Sequence, residues 1–476
     1  MKKTVFSVFM VFAVLSICFF QLSADEQSTD KEEKNETIEK EAGRGFVFGS
    51  YGRVQPATDL QGGSPKWVNI VSHGSRLEQK SYVELDFAYL FPQVGGGPLF
   101  DFVSTLAFSE SLFHGSGKWA ALSAVRNLFV RADNVIWKPL SLWIGSRMYR
   151  GDDIYLVDFW PLDEANMYGG GAGLFFKNWS IEYYIGFNRL ETDWQYQEKK
   201  VVAETFGSDS VTWMDRQRLV TGLKYEQRYI LNEDSGTGMK WKLFGEFQRI
   251  GEGEKYIDPV DDDNRIVYPE DFGWSVGAQL GFFGYSPNSF GNLFVKYSGG
   301  LGAYGLLTVP HGFDTDYKTT SAREFLLGFS LNQEVRWLAT MAGGYVRYFE
   351  DADSNKYDND DYWEYIFVIR PHIILHKYFY LAFEFSHQLK KTNGLTQIPD
   401  GTHRNIIPQV TKLSFIPLVT VGGGSYERPQ LRLVYTAAFQ NDDARYLYHR
   451  EDIRSQKSVM HYFGLSAEWW FNVGHR

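Results

Sequence analysis

Two acidic stretches of this chain carry residue types that could bind a divalent cation. They are DPVDDD at residues 258–263 and DADSNKYDNDD at residues 351–361. The second begins like a calcium-binding loop, but Lys356 stands where such a loop requires glycine and Tyr362 where it requires a closing glutamate. We therefore interpret both stretches as solvated outer loops, and we predict neither a bound metal ion nor a cofactor.

The sequence contains no motif typical of a catalytic centre. GGGAG at residues 169–173 lacks the Gly-Lys-Ser/Thr that completes a phosphate-binding loop, and we interpret it as a tight turn or bulge. Arg150-Gly151-Asp152 spells an adhesion tripeptide that is common by chance. The ten histidines form no His-Glu-x-x-His motif, and no Gly-x-Ser-x-Gly elbow occurs. We predict that the chain is not an enzyme.

A stronger signal comes from aromatic and charged residues that stand two positions apart. Such pairs are Tyr51 with Arg53, Tyr82 with Glu84, and Asp158 with Trp160. In a β-strand, residues two apart project from the same face. An aromatic ring can stack on the apolar face of a sugar, while charged side chains form strong hydrogen bonds with sugar hydroxyl groups. The pattern is compatible with a sugar-binding lumen, but taken alone it favours an ordinary water-filled lumen lined by rings and charges without a specific site.

The elements that position these residues alternate in character, as β-strands do. In HYFGLSAEWWF at residues 461–471, Leu465, Ala467 and Trp469 fall on one parity, and Ser466 and Glu468 on the other. A membrane barrel turns one such face to lipid and the other to its lumen, with aromatic girdles at the two interfaces. Sixteen segments look like strands: residues 45–55, 81–91, 99–113, 139–149, 174–188, 219–229, 240–250, 272–284, 292–300, 324–334, 335–349, 362–371, 378–388, 409–421, 430–440 and 461–471.

Short joins alternate with long, polar joins between these segments, which is the barrel signature. We therefore predict an all-β protein: one transmembrane antiparallel barrel of about eighteen strands, with short periplasmic turns and long extracellular loops. The composition agrees, because aromatic residues make up 17% of the chain although its mean hydropathy is −0.31. After the N-terminus, the absence of long apolar runs argues against a helical membrane protein. A formal net charge of −10 argues against nucleic-acid binding.

The N-terminal residues predict export from the cytoplasm. Lys2 and Lys3 precede an apolar run, and Leu22-Ser23-Ala24 provides a cleavage site. We predict a signal peptide at residues 1–24, an acidic flexible periplasmic arm at residues 25–43, and the barrel at residues 44–476. The sole cysteine, Cys18, lies in the signal peptide, so the mature chain has no disulfide.

Several motifs resemble the maltoporin family of carbohydrate-selective porins. The most specific are WIGSRMYRGDDIYLVDFWPLDEANMYGGGAGL at residues 143–174 and GSYERPQLRLVY at residues 424–435, and the terminal GLSAEWWF is similar too. The resemblance implies a homotrimer of eighteen-stranded barrels in the outer membrane of a Gram-negative bacterium, in contact with lipid and lipopolysaccharide. It also implies a third loop folded into the pore, and passage of sugars along an aromatic slide beside a polar track.

Matching the motifs assigns residues to these two features. The slide positions are Tyr51, Tyr82, Trp470 and Trp119, the last of which loop 2 lends to the neighbouring subunit's channel. The polar track comprises Arg53, Arg76, Glu84, Arg126, Asp153 and Asp158. The constriction departs from the family at two positions: its arginine aligns with Gly151, so Arg150 substitutes only after a one-residue shift, and its tyrosine aligns with Trp160.

We expect a channel for facilitated diffusion of maltodextrins or other oligosaccharides, which also conducts ions. Three alternatives stay open. The barrel could be a general diffusion pore without a sugar site, an outer-membrane enzyme such as a lipase, or an adhesive or structural barrel without an open pore.

Overall fold

The alternation of residues 461–471 corresponds to a strand with one exposed and one buried face. Leu465 is 61% exposed, whereas Ser466 and Glu468 are only 4% and 2% exposed. A computed structural model describes residues 44–109, 122–188, 196–202, 208–214, 216–256, 265–355 and 360–474. The predicted signal peptide, the acidic arm, Trp119 and residues 258–263 lie outside this described part.

Eighteen antiparallel strands close into a barrel, as predicted. They are β1 (Phe46–Val54), β2 (Tyr82–Leu90), β3 (Leu99–Ser109), β4 (Leu122–Asp133), β5 (Leu140–Arg150), β6 (Glu164–Phe175), β7 (Trp179–Asn188), β8 (Arg218–Asn232), β9 (Thr237–Ile250), β10 (Asp271–Phe283), β11 (Phe290–Gly300), β12 (Arg323–Val335), β13 (Leu338–Glu350), β14 (Tyr362–His376), β15 (Phe379–Thr392), β16 (Gln409–Thr420), β17 (Gln430–Gln440) and β18 (Val459–Phe471). Each strand pairs with the next, and β18 pairs with β1 to close the barrel.

The loops between the barrel strands contain short strands and helical turns. Paired short strands are Tyr196–Val202 with Ser208–Met214, Gly253–Tyr256 with Arg265–Tyr268, and Thr396–Gln397 with His403–Arg404, while Ala57–Thr58 pairs with β18. The helical turns are Arg76–Glu78, Tyr155–Val157 and Leu301–Tyr304, followed by α1 (Asp442–Arg445) and α2 (Ile453–Gln456). Within the described residues, no helix is long and apolar enough to cross a membrane.

All sixteen predicted segments overlap barrel strands, but β4 was not among them. Its pairing with β3 shifts register at Arg126: Thr105 faces Asn127, and Leu106 faces Val125. Such an extra residue is a bulge, which breaks the two-residue period and redirects a side chain. Because the bulge interrupts the alternation, a search for a two-residue period does not detect β4. The bulge also turns the side chain of Arg126 toward the lumen.

The interpretation of GGGAG as a tight turn or bulge is wrong, because these residues lie within β6 and pair in continuous register with both neighbours. The glycines make room for aromatic side chains. A Cβ at Gly171 would lie 2.4 Å from Nε1 of Trp143, and one at Gly173 would lie 2.5 Å from the ring of Phe175. The predicted strand at residues 174–188 is in fact two elements: it combines the last two residues of β6 with the whole of β7. The prediction missed the break because aromatic residues continue through the turn between the two strands.

Loop 3 (residues 151–163) folds into the lumen, as predicted. Its centre is buried, with Ile154 and Val157 both 0% exposed. Ile154 reaches the opposite wall, where a Cβ at Gly343 on β13 would lie 2.7 Å from it. Loop 3 thus runs from β5 and β6 across the pore to β13.

Loop 1 (residues 55–81) also enters the lumen, which the sequence did not predict. Ile70 is buried, and its backbone N–H donates to Gln388 on β15 at 3.0 Å. Ser72 Oγ donates to Glu364 on β14 at 3.1 Å. These bonds hold loop 1 against the wall, so two inward loops shape the pore.

The acidic loop at residues 351–361 is not wholly solvated. Asp351 is only 3% exposed, and the prediction is wrong at this position because loop 6 (residues 301–322) packs over it. Gly312 lies so close that a Cβ there would overlap the Asp351 carboxylate. Asp351 also accepts a hydrogen bond from the backbone N–H of Asp353 at 3.0 Å.

Candidate functional site

Eleven of the twelve predicted site residues line one cavity of about 440 Å³ in the lumen, which we call the inner chamber. Trp119 lies outside the described residues. The eleven are Tyr51, Arg53, Arg76, Tyr82, Glu84, Arg126, Arg150, Asp153, Asp158, Trp160 and Trp470. They come from strands β1, β2, β4, β5 and β18 and from loops 1 and 3, so the chamber forms only when the barrel has closed.

The closure of the barrel sets the register of the aromatic residues. Tyr51 on β1 lies opposite Trp470 on β18 and opposite Glu84 on β2. Two residues further along β1, Arg53 lies opposite Tyr82. The rings of Tyr51 and Tyr82 have their centroids 6.1 Å apart. The two tyrosines and Trp470 therefore face the same chamber.

Arg76 connects loop 1 to the rest of the chamber. Its guanidinium group donates to the hydroxyl of Tyr51 and lies 3.0 Å from a carboxylate oxygen of Glu468 on β18. It also lies 4.1 Å from the ring centroid of Tyr155 and 3.9 Å from Asp158, both in loop 3. Arg76 is only 5% exposed, so it holds the inward loops against the wall as well as lining the chamber.

Charged side chains also surround Tyr82. Its hydroxyl donates to Glu84, and Arg126 lies 3.0 Å from the same carboxylate. The guanidinium groups of Arg126 and Arg53 lie 5.4 Å and 5.5 Å from the centroid of the Tyr82 ring. The aromatic ring of Tyr82 and these charged groups thus lie side by side in the chamber.

Arg150 faces the chamber despite the one-residue offset from the family pattern. Its guanidinium group lies 3.7 Å from the centroid of the Trp160 ring and 2.9 Å from Glu164 on β6. A cation over an indole ring is held by the negative face of the ring. Arg150, the shifted arginine, therefore contacts Trp160, the residue that aligns with the constriction tyrosine.

Two carboxyl groups of loop 3 that line the chamber have pKa values shifted in opposite directions. Burial raises the pKa of Asp153, which lines the chamber, to about 7, although Arg76 partly opposes this shift. Burial acts on Asp158 in the same direction, but Arg76 and Arg53 outweigh it and hold the pKa of Asp158 below its ordinary value. Within the chamber, the pKa of Asp153 is therefore well above that of Asp158.

The other side of loop 3 is anchored to the barrel wall by lysines. Asp163 lies 2.9 Å from Lys224 on β8, and both side chains are 3% exposed. Asp152 lies 2.7 Å from Lys240 and 3.5 Å from Lys242, both on β9. Although burial opposes the effect, these two lysines hold the pKa of Asp152 well below its ordinary value. Gly151 and Asp152 of the adhesion tripeptide therefore lie in the pore.

Four residues that sequence reasoning missed also line the chamber: Tyr155, Glu164, Tyr426 and Val473. The ring of Tyr155 lies 6.0 Å from Trp470 and 5.3 Å from Tyr426. Arg428 lies 4.2 Å from the centroid of the Trp470 ring. Tyr426 and Arg428 belong to the stretch GSYERPQLRLVY, so the motif itself was the available signal. Tyr155 lies in a helical turn that a search for two-residue alternation does not detect.

A metal centre has no obvious location in the part of the chain that the structure describes. Those residues include no group of three or more His, Cys, Asp or Glu side chains that could hold a metal ion.

The family model of the LamB porin matches residues 46–471. The chain belongs to the LamB porin family. This LamB porin is an outer-membrane β-barrel channel and not an enzyme. A comparison with curated proteins finds no match.

Several solved structures are similar to this porin at low sequence identity. OccAB2 of Acinetobacter baumannii is 12% identical, with 90% of this chain and 98% of that chain covered and a TM-score of 0.43. OccD3 (OpdP) of Pseudomonas aeruginosa is 11% identical, with coverage of 91% and 92% and a TM-score of 0.41. The outer membrane channel DcaP of Acinetobacter baumannii is 11% identical, with coverage of 90% and 96% and a TM-score of 0.42.

Proposed function

We propose that this LamB porin carries out facilitated diffusion of neutral sugars, with oligosaccharides as the preferred class. The observation that carries the proposal is the assembly of eleven predicted site residues around one chamber of about 440 Å³. A sugar slides over Tyr51, Tyr82 and Trp470 and exchanges hydrogen bonds with the charged residues beside them. The volume lies in the range of small-molecule sites, which are a few hundred to about 1,000 Å³.

The charge balance of the chamber favours a neutral solute. Its lining contains four arginines, Arg53, Arg76, Arg126 and Arg150, and four carboxyl groups, Glu84, Asp153, Asp158 and Glu164. Paired charges form hydrogen bonds with hydroxyl groups but give no net attraction to an anion or a cation. Binding is weak, because flux requires release as well as uptake.

Planar-bilayer recording tests this proposal. Purified protein conducts ions, and neutral sugars added to the bath reduce the current in a saturable way. A steady current that no sugar reduces would contradict the proposal and favour a general diffusion pore. Hydrolysis of phospholipid by the purified protein would favour an enzyme, and no conductance at all would favour an adhesive or structural barrel.

We also propose that the porin is a homotrimer embedded in outer-membrane lipid and lipopolysaccharide, with Trp119 of each subunit serving a neighbouring channel. The family supports this proposal, as do the exposed apolar residues on the outside of the barrel, such as Ile144 at 75% and Leu465 at 61% exposure. Mass measurement in detergent tests it, and a monomer that retains sugar block would contradict it.

A further inference from the structure

A short turn also folds into the pore, from the side opposite to loops 1 and 3. It joins β16 to β17 at residues 421–429, and we call it the inward turn. A barrel carries its short turns on the periplasmic side. Ser425 is only 1% exposed and Arg428 only 7% exposed, and Tyr426 lines the inner chamber. The turn therefore extends from the periplasmic rim into the lumen.

Three successive glycines give the inward turn its path. Gly422, Gly423 and Gly424 have positive φ angles of 90°, 103° and 141°. Residues other than glycine rarely adopt such a backbone. A Cβ at Gly424 would also lie 2.5 Å from Nδ2 of Asn288 and 2.7 Å from a carboxylate oxygen of Glu334 on β12. The chain thus bends inward at these glycines and passes directly against β12.

The buried carboxylate group of Glu334 holds the far side of the inward turn. Its Oε1 accepts hydrogen bonds from the backbone N–H of Ser425 at 2.8 Å and from the hydroxyl group of the same residue at 2.7 Å. Its Oε2 accepts one from Asn288 at 3.0 Å, and Asn288 also donates to the carbonyl group of Gly423 at 2.8 Å. Glu334 is 8% exposed, and a buried carboxylate group is costly without hydrogen bonds. These bonds therefore favour the position of the turn inside the lumen.

The near side of the inward turn contacts β18 and loop 3. Arg428 donates to Glu468 on β18 at 3.0 Å and to the hydroxyl group of Tyr155 in loop 3. The ring of Tyr426 has its centroid 5.3 Å from that of Tyr155 and 5.5 Å from that of Phe290 on β11. A loop from one side of the membrane and a turn from the other side therefore meet within the pore.

We propose that the inward turn forms the periplasmic half of the pore constriction, and that Glu334 is a positioning residue whose carboxylate group holds the turn in the lumen. With the turn in place, Tyr426 narrows the exit of the inner chamber. Without the bonds to Glu334, the turn moves toward the rim at its glycines and the exit widens. This inference concerns the width of the pore for ions, so it does not depend on whether the pore accepts sugars.

Single-channel conductance in salt solution alone tests the inference. We expect Glu334→Ala to raise the conductance. Glu334→Gln should raise it less, because glutamine keeps an oxygen that accepts from Ser425 but presents an NH₂ group to Asn288. Gln333→Ala is the matched control: Gln333 is the neighbour of Glu334 on β12, but it donates to Ser286 at 3.0 Å, so its loss should leave the conductance unchanged. A conductance of Glu334→Ala equal to that of the unmodified channel would overturn the inference.

Thiol labelling separates movement of the inward turn from loosening of the whole pore. The sole native cysteine, Cys18, precedes the barrel, so introduced thiols report on their own positions. Ser425→Cys places a thiol in the inward turn and keeps the backbone bond to Glu334, while Ser75→Cys places one in loop 1, where Ser75 is 2% exposed.

Adding Glu334→Gln should speed labelling at position 425 about tenfold, since one hydrogen bond to a charged group contributes about 1.4 kcal/mol or more. Labelling at position 75 should not change. Faster labelling at both positions, or at neither, would contradict the role of Glu334. Because this measurement uses the conservative variant, it stays decisive even where the alanine variant fails to fold.

Discussion

Asp152 and Asp153 are neighbours in loop 3, yet they lie on opposite sides of it. Asp152 contacts Lys240 and Lys242 on the barrel wall, and its pKa is held well below the ordinary value because these lysines outweigh the effect of burial. Asp153 faces the inner chamber, where burial raises its pKa to about 7. The same residue type thus serves as an anchor on one side and as a titratable lining group on the other.

This difference shows how one loop can be fixed to the barrel wall on one side and line the pore on the other. On the wall side, the buried ion pair of Asp163 with Lys224 fixes the position of the loop, and Asp152 is 27% exposed beside its two lysines. The chamber side keeps charged and aromatic groups partly exposed, as with Asp158 at 23% and Arg150 at 20% side-chain exposure. Changes to the ion pair of Asp163 with Lys224 should alter stability and pore width, whereas changes to groups that line the chamber should alter sugar block or ion selectivity.

Lys224→Met gives the largest expected effect. It leaves Asp163 buried without its nearest cation, and the remaining Lys242 lies 3.7 Å away. Removing one partner of a buried ion pair costs about 3 kcal/mol or more. We expect a loss of that size in the free energy of unfolding, measured by urea titration in lipid vesicles, and a higher single-channel conductance as loop 3 detaches. Unchanged stability and conductance would show that the lysine cluster does not hold the loop.

Tyr51→Ala tests the chamber side, with Tyr51→Phe as its matched control. The alanine variant loses the ring, and we expect about tenfold weaker sugar block, since stacking on an aromatic ring contributes on the order of 1 kcal/mol beyond buried area. The phenylalanine variant keeps the ring and loses only the hydroxyl that accepts from Arg53 and Arg76. Block in both variants is measured in bilayers. Unimpaired block in the alanine variant would remove Tyr51 from the slide.

The sequence predicted the barrel well because strand alternation is a local property. The faces of β18 follow directly from the order of residues such as Leu465 and Ser466, and the structure confirms them. Prediction failed where a single residue breaks the period, as at Arg126 in β4, or where glycine replaces the alternating residues, as in β6.

The chamber was predictable only in part, for a related reason. Tyr51, Tyr82 and Trp470 lie on strands, so parity and the family motifs both locate them. Tyr155 and Tyr426 reach the chamber from a loop and a turn, and their positions depend on packing across the pore. No local pattern reports such contacts, although Tyr426 lies within a motif that the family resemblance had already singled out.

The preference of the channel for cations over anions should depend on pH. Asp153→Asn should remove this pH dependence, whereas Asp152→Asn should leave it in place. Asp153 loses its proton as pH rises through about 7, so the pore gains one negative charge. We expect the preference for cations over anions to increase between pH 5 and pH 9 around that midpoint, and the asparagine variant to lose this increase. Reversal potentials in a salt gradient measure it.

Asp152 is the internal control for that measurement, because its depressed pKa keeps it charged throughout the same pH range. Its substitution should lower the preference for cations by a constant amount. A flat profile for the unmodified channel, or a titration that persists without Asp153, would contradict the assignment of this group.

Arg150→Lys should have the smallest effect on sugar block. It tests whether the shifted arginine has a role in sugar passage. Lysine keeps the positive charge near Glu164 but loses the planar stacking on Trp160, which lies 3.7 Å away. A partly exposed cation–π contact contributes about 0.5–1 kcal/mol, so sugar block should weaken about two- to fivefold while ion selectivity stays the same. Block equal to that of the unmodified channel would mean that Arg150 supplies only charge. The one-residue offset from the family pattern would then have removed the specific function of the constriction arginine.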